Sequence, residues 1–94
     1  MPDSAAEPSV RFVVAGRVQG VGFRYRCQRQ ARELDVRGWV QNREDGRVHG
    51  VVQGAEPALT AMLNWLRNGP PGARIDDMQS EAVEAERFDD FSIR

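Results

Sequence analysis

A glycine-rich turn between a strand and a helix, Gly16–Arg24, constrains the fold of this chain more than any other stretch. The preceding residues 10–15 are mostly β-branched or aromatic, which favours a strand. The apolar residues that follow recur at helical spacing: Phe23, Cys27, Ala31 and Leu34. Such a turn presents backbone N–H groups at a helix N-terminus, whose partial positive charge favours an anion. Because Arg24 adds a planar cation suited to phosphate oxygens, the stretch predicts a phosphate site.

The length of the chain, 94 residues, is enough for one domain with a single core. Residues 1–8 lack periodicity and predict a loose tail, followed by one domain over residues 9–94. The tail has neither the basic start nor the apolar run of a secretion signal, and no apolar stretch is long enough to span a membrane. We therefore expect a cytoplasmic protein that does not associate with membranes.

The charges are nearly balanced overall but unevenly distributed. Thirteen basic residues face fourteen acidic ones. Residues 11–32 contain six arginines and no carboxylate, whereas residues 76–94 contain seven carboxylates and two arginines. The basic half includes the predicted phosphate site and would attract a small polyanion. For Arg26, Arg29 and Arg32 we favour a simpler explanation, a solvated face of the first helix.

The order of the predicted elements indicates an α+β fold. Residues 36–43 alternate as a strand, Asp45-Gly46 is a hairpin signal, and Val48 begins the returning strand. Pro57 suits the first turn of a second helix, which Asn68–Pro71 ends. Strands over residues 74–84 and 88–93 complete the chain. Two helices covering one face of an antiparallel sheet of four to five strands is the economical packing for this order.

The second candidate element of the site is Asn42, near the end of a predicted strand and just before the hairpin. Asn is a poor strand residue, and two interpretations of it remain open. It either flanks the turn and binds nearby backbone, or it holds a water molecule and a developing oxyanion through its acceptor and donor groups.

The remaining candidates favour structural roles. Cys27 is the only cysteine, so no internal disulfide is possible, and its place on the apolar face of the helix favours a buried structural thiol. His49 is the only histidine and is expected at the surface. Trp39 and Trp65 are expected in the core or at its edge. One Cys and one His are too few for a metal site.

Gly16–Arg24, Gly38–Asn42 and Asp45–Val48 together resemble the signature pair of the acylphosphatase family. The resemblance extends from about Val10 to Phe91–Arg94 and includes Gly69-Pro70-Pro71 after the second helix. The positions of Val36 and His49 depart from the forms most expected, and neither belongs to the site.

The resemblance implies a ferredoxin-like βαββαβ sandwich and hydrolysis of the carboxyl–phosphate bond of acyl phosphates. It implies no metal and no organic cofactor. In the family, the loop wraps the phosphate with N–H groups, the matching arginine binds phosphate oxygens and the matching asparagine orients the attacking water. The catalytic residues are then Arg24 and Asn42. The phosphate-binding residues are Arg17, Val18, Gln19, Gly20, Val21, Gly22, Phe23 and Arg24.

These assignments predict a small-molecule acyl phosphate as substrate, with inorganic phosphate as product and competitive inhibitor, and a monomer as the simplest state. Two alternatives stay open. One is an RNA-binding module of the same element order, although residues 47–54 lack the aromatic residues that stack on bases and the net charge is close to zero. The other is a non-catalytic accessory domain of the kind found in larger carbamoyl-transfer proteins.

Overall fold

Seven elements follow one another in the predicted order along residues 7–94, the part of the chain that the computed structural model describes. Their bounds are β1 Ser9–Arg17, α1 Phe23–Glu33, β2 Arg37–Asn42, β3 Val48–Gln53, α2 Glu56–Asn68, β4 Arg74–Val83 and β5 Phe91–Ile93. The predicted final strand began at residue 88, but β5 begins three residues later. The N–H of Phe88 donates instead to Oε1 of Gln53, at 2.9 Å, so the connection is tied to a side chain there.

The strands form one sheet in the order β4-β1-β3-β2-β5. The four longer strands pair antiparallel, whereas β5 runs parallel to β2 with Gly38 opposite Phe91. The predicted ferredoxin-like α+β fold is confirmed, with a mixed sheet in place of a wholly antiparallel one. The parallel pair arises because the chain leaves β4 at one edge of the sheet and crosses to the opposite edge before forming β5.

Both helices cover the same face of this sheet. Strand residues that alternate toward this face include Phe12, Val40 and Val52, all fully buried. Both helices contribute apolar residues to the same core: Phe23, Cys27 and Ala31 of the predicted α1 stripe, and Leu59, Met62 and Leu66 from α2. Burial raises the pKa of the Cys27 thiol far above its usual range, so this cysteine is a protonated core residue as predicted.

Gly38 in β2 allows two strands to approach closely. Its φ of 135° lies in the left-handed region, and a Cβ atom there would lie 1.9 Å from the carbonyl oxygen of Val51. No other residue fits without displacing β3. This close approach fixes the position of β2, which ends at Asn42.

The described residues begin within the predicted tail. Glu7 forms an ion pair with Arg37, and the carbonyl of Pro8 accepts a hydrogen bond from the N–H of Gly54 at 3.3 Å. These two residues therefore contact the domain, while residues 1–6 of the predicted tail lie outside the described residues. None of the helices within residues 7–94 has the length and apolar character needed to cross a membrane.

Candidate active site

The turn between β1 and α1 leaves the start of the helix open. Gly20 and Gly22 both adopt a φ of 76°, a left-handed conformation that glycine enters without a steric penalty. Gly22 is the N-cap residue, so no side chain caps the helix, and the first turn holds no acidic residue. The first turn of α1 therefore holds no acidic side chain that would offset the partial positive charge at this end of the helix.

The backbone amides of this turn are free to bind a ligand. Among the described residues, no N–H of residues 18–25 donates a hydrogen bond to a backbone or side-chain acceptor, and the first bond of the helix runs from the N–H of Arg26 to the carbonyl of Gly22 at 3.1 Å. The first N–H groups of any helix lack intrahelical partners. Here the glycine turn extends that set of free donors back to Val18.

These donors surround a cavity of about 230 Å³. The turn and the start of α1 provide most of its lining, and the ends of β2 and β5 close the opposite side. The lining residues are Val18, Gln19, Gly20, Gly22, Phe23, Arg24, Tyr25, Asn42 and Ile93. Residues far apart in sequence therefore meet at one site, because β2 and β5 end at the same edge of the domain where α1 begins.

Arg24 is the only charged residue among the described residues that line this cavity. Its Nη1 donates to the main-chain oxygen of Arg94 at 3.3 Å. Arg94 is itself tied to β2, since its N–H donates to the carbonyl of Val40 at 2.8 Å. The guanidinium of Arg24 is thereby held through a main-chain oxygen, and no side-chain carboxylate pairs with it within the described residues.

Asn42, which lines the same cavity, carries an unusual polar atom. Its Oδ1 is buried and has no hydrogen-bond partner among the described residues. Leaving a buried acceptor without a donor costs about 1–3 kcal/mol, so such an atom in a polar cavity indicates a ligand or a water molecule. The alternative interpretation, in which Asn42 binds nearby backbone, is therefore not supported for its Oδ1, which accepts no backbone hydrogen bond within the described residues.

Gln19 connects the turn to the hairpin that follows Asn42. Its Nε2 donates to two main-chain carbonyls, that of Arg43 at 2.8 Å and that of Arg47 at 3.1 Å. The hairpin is itself braced by Asp45, whose Oδ1 accepts the N–H of Arg47 at 3.0 Å. This contact lowers the pKa of the Asp45 carboxyl, with further help from the neighbouring guanidinium groups. The side chain of Gln19 therefore fixes the turn relative to Asn42.

The structure brings most of the predicted site residues together. Seven of them line the one cavity, whereas Arg17 and Val21 are not part of its lining. Arg17 ends β1 opposite Arg74 and is exposed, and Val21 packs against the hydrophobic core. The helical periodicity and the turn glycines did not indicate these two orientations.

A larger cavity of about 350 Å³ lies on the helix-free face of the sheet and is lined in part by Arg11, Arg43 and Arg47. Each of these arginines already has a carboxylate partner. Arg11 pairs with Glu81 at 3.3 Å, and Asp45 lies 3.2 Å from Arg43 and 3.1 Å from Arg47. The positive charges of this larger cavity are therefore largely paired with side-chain carboxylates, whereas Arg24 has no side-chain carboxylate partner among the described residues.

Comparison with known proteins agrees with this geometry. The acylphosphatase family model matches residues 10–93. An acylphosphatase from Nitrosococcus oceani is 48% identical over 85 residues, covering 90% of this chain and 96% of that protein. The chain belongs to the acylphosphatase family. The predicted family and enzyme class, a hydrolase of acyl phosphates, are confirmed.

Solved structures of this family share the fold. An acylphosphatase from Coxiella burnetii superposes with a TM-score of 0.93 at 33% identity, covering 100% of this chain and 99% of that one. The acylphosphatase of Bacillus subtilis gives 0.89 at 40% identity, with 93% and 98% covered. HypF from T.kodakarensis also matches, with a TM-score of 0.77 and 35% identity over 92% of this chain but only 12% of that protein. In HypF the matching region is therefore a small part of a much longer protein.

Three contacts of this acylphosphatase site were not predicted. They are the Gln19 side-chain bonds, the Arg94 oxygen that binds Arg24, and the placement of Tyr25 and Ile93 in the cavity lining. Trp39 also differs from expectation, because it lies on the helix-free face with the Arg94 guanidinium 4.5 Å above its ring. The family resemblance at Phe91–Arg94 was the one signal that could have suggested a role for these residues.

Proposed function

We propose that this acylphosphatase holds the phosphate of its substrate with the free amides of residues 18–23 and with Arg24, and that Asn42 orients the attacking water. The observation that carries this proposal is the convergence of three kinds of group in one cavity: unpaired backbone donors, one cation, and one buried acceptor without a partner. An acyl phosphate and a water molecule together supply the matching acceptors, charge and donor.

The conformation of the turn supports placing the substrate phosphate at this end of the cavity. Phosphate oxygens accept hydrogen bonds from several directions, and the turn directs free N–H groups from both its loop and the start of α1. Arg24 contributes a charge-assisted bond, worth about 1.5–3 kcal/mol. Arg17, next to Val18, adds positive charge at the exposed end of β1 without lining the cavity, and Val21 contributes through its backbone.

The chemistry asked of Asn42 is modest, because the leaving group is good. The departing carboxylate is weakly basic, so phosphoryl transfer depends mainly on positioning and on stabilising charge. The Oδ1 of Asn42 accepts a hydrogen bond from the water molecule. This bond orients the water so that a lone pair of its oxygen points at phosphorus. A neutral amide is too weak a base to remove the proton, so the phosphate of the substrate accepts it. The water oxygen forms the new P–O bond as the bond to the carboxylate breaks.

Phosphate release from acetyl phosphate and benzoyl phosphate tests this assignment, with and without a chelator. We expect chelator-insensitive hydrolysis by the unaltered protein. Asn42→Ala should lower kcat by about 100- to 1000-fold, the loss typical of one well-placed transition-state contact, while inhibition by inorganic phosphate persists. Arg24→Gln should lower kcat/KM and also weaken that inhibition. Arg29→Gln, which removes an exposed charge two turns along α1, is the matched control.

The result that would contradict these roles is near-normal turnover in Asn42→Ala, or inhibition by phosphate that is equally strong with and without Arg24. We further propose a cytoplasmic monomer that takes no nucleic acid. Light scattering of the purified protein tests the monomer, and a gel shift with single-stranded RNA at low salt tests the alternative partner. Absence of hydrolysis together with salt-sensitive RNA binding would overturn the enzyme assignment.

A further inference from the structure

Two large apolar side chains are exposed at the catalytic cavity. Tyr25 is 59% exposed and Ile93 is 39% exposed, and they are the only large hydrophobic residues of residues 7–94 that are exposed to this degree. Both line the cavity that holds Arg24 and Asn42. Single exposed apolar residues are common on protein surfaces. Two that meet at the cavity where the reaction takes place indicate a contact with the substrate.

The fold gives no structural reason for either side chain. Tyr25 follows Phe23 by two positions on α1, and since Phe23 faces the core, helical geometry turns Tyr25 away from it. Ile93 ends β5, two residues after the buried Phe91, and pairs with Val40 at the edge of the sheet. Neither residue belongs to the core cluster or packs against it.

The single positive charge in the cavity lining favours some classes of acyl group over others. Among the described lining residues, Arg24 is the only charged group, and the proposed phosphate contact occupies it. An acyl group carrying a carboxylate or a second phosphate would find no further cation in this lining. An apolar or aromatic acyl group would cover the two exposed side chains and remove their surface from water.

We propose that Tyr25 and Ile93 bind the acyl group of the substrate and make this acylphosphatase prefer acyl phosphates with apolar or aromatic acyl groups. This inference rests on the proposed function, because it takes the Arg24 end of the cavity as the phosphate end. Tyr25 offers a ring face for stacking, and Ile93 offers an aliphatic surface from the other side of the cavity.

The test compares kcat/KM for benzoyl phosphate with kcat/KM for acetyl phosphate in the same protein. The unaltered protein should favour benzoyl phosphate. Tyr25→Ser and Ile93→Ser should each reduce the benzoyl-to-acetyl ratio by about three- to tenfold, mainly through KM, since small apolar contacts discriminate substrates modestly. Tyr25→Phe keeps the ring and should keep the ratio. Circular dichroism should find all three variants folded, because both side chains are exposed.

A ratio that stays constant in both serine variants, or that falls equally in Tyr25→Phe and Tyr25→Ser, would overturn the acyl-group contact while leaving the proposed hydrolysis intact. The inference would also be overturned if the unaltered protein had a higher kcat/KM for acetyl phosphate than for benzoyl phosphate. The same holds if it preferred a substrate with a charged acyl group, such as succinyl phosphate. An unaltered protein that hydrolyses none of these compounds would instead overturn the proposed function, and the inference with it.

Discussion

The two helices cover the same face of the sheet, yet their N-terminal ends are built differently. α2 follows Ala55 in an extended conformation, carries Glu56 in its first turn and has Pro57 where another helix would have a free N–H. α1 follows the left-handed Gly22, has no acidic residue in its first turn and leaves the amides of its preceding turn unpaired within the described residues.

The difference favours the start of α1 over that of α2 as the proposed ligand site. Every helix start carries unpaired N–H groups and a partial positive charge. At α2 the Glu56 carboxylate offsets the partial positive charge, and Pro57 removes one of the unpaired N–H groups. At α1 the chain reduces neither, and it adds Arg24 in the first turn. The contrast supports the proposed phosphate site at the start of α1.

The largest expected effect comes from giving α1 the carboxylate that α2 already has. A Cβ at Gly22 would meet nothing within 4 Å, and Asp and Asn both tolerate the left-handed conformation. At about 5 Å and an effective dielectric constant of about 20, one added negative charge opposes a phosphate charge by about 3 kcal/mol. Gly22→Asp should therefore lower kcat/KM at least about 100-fold relative to Gly22→Asn.

Gly22→Asn is the control for this prediction, because it has the same size and backbone demand without the charge. Steady-state kinetics with benzoyl phosphate measure the difference. Equal activities in the two variants would mean that the electrostatic character of the helix start is irrelevant to the substrate.

A smaller loss is expected when the turn is detached from the hairpin. Gln19→Leu removes the donor that binds the carbonyls of Arg43 and Arg47. Displacement of the turn relative to Asn42 should lower kcat/KM by about tenfold, since small misplacements weaken catalysis more than they weaken folding. Gln28→Leu is the matched control, because the Gln28 amide on α1 also donates to a main-chain carbonyl, that of Phe91 at 3.0 Å.

Thermal melts and kinetics of both glutamine variants separate the two contributions. We expect similar decreases in melting temperature and a decrease in kcat/KM confined to Gln19→Leu. Equal losses of activity in the two variants would mean that the Gln19 hydrogen bonds only stabilise the fold and do not position the turn for catalysis.

The opposite helix gives the complementary prediction. Glu56→Gln removes the carboxylate from the first turn of α2, which is exposed and distant in sequence from the site. The melting temperature should fall by a few degrees because the favourable interaction with the helix start is lost. Activity on acyl phosphates should stay within about twofold of the unaltered protein. A large loss of activity would show that both helix starts influence the site.

The smallest expected effect concerns the brace of the hairpin. The N–H of Arg47 and the nearby guanidinium groups hold the pKa of Asp45 below its usual value of 3.8. The ionised form is thus favoured in the folded state, so this contribution to stability is present above pH 3.8 and disappears as the pH falls through the lowered pKa. The difference in unfolding free energy between the protein and Asp45→Asn should shrink toward zero below that pH. A difference that grows on acidification would have the wrong sign.

Local patterns predicted much of this domain. The turn glycines, the stripe of α1 and the Asp45-Gly46 hairpin depend on neighbouring residues, and the site at Arg24 follows from them. The parallel pairing of β5 and the contact between Arg24 and Arg94 join residues more than fifty positions apart. The periodicity of apolar residues within one element does not indicate which distant residues it will contact. Trp39 was misassigned for a related reason, because alternation along β2 cannot say which face the helices will cover.

The most direct test of the account measures where inorganic phosphate binds. In a titration of the ¹⁵N-labelled protein, we expect the largest amide shifts at residues 18–25, with little change at residues 56–59 of α2, and we expect Gly22→Asp to abolish the response. Shifts centred on the start of α2 or on the helix-free face, with residues 18–25 unaffected, would contradict the claim that the open start of α1 is the phosphate site.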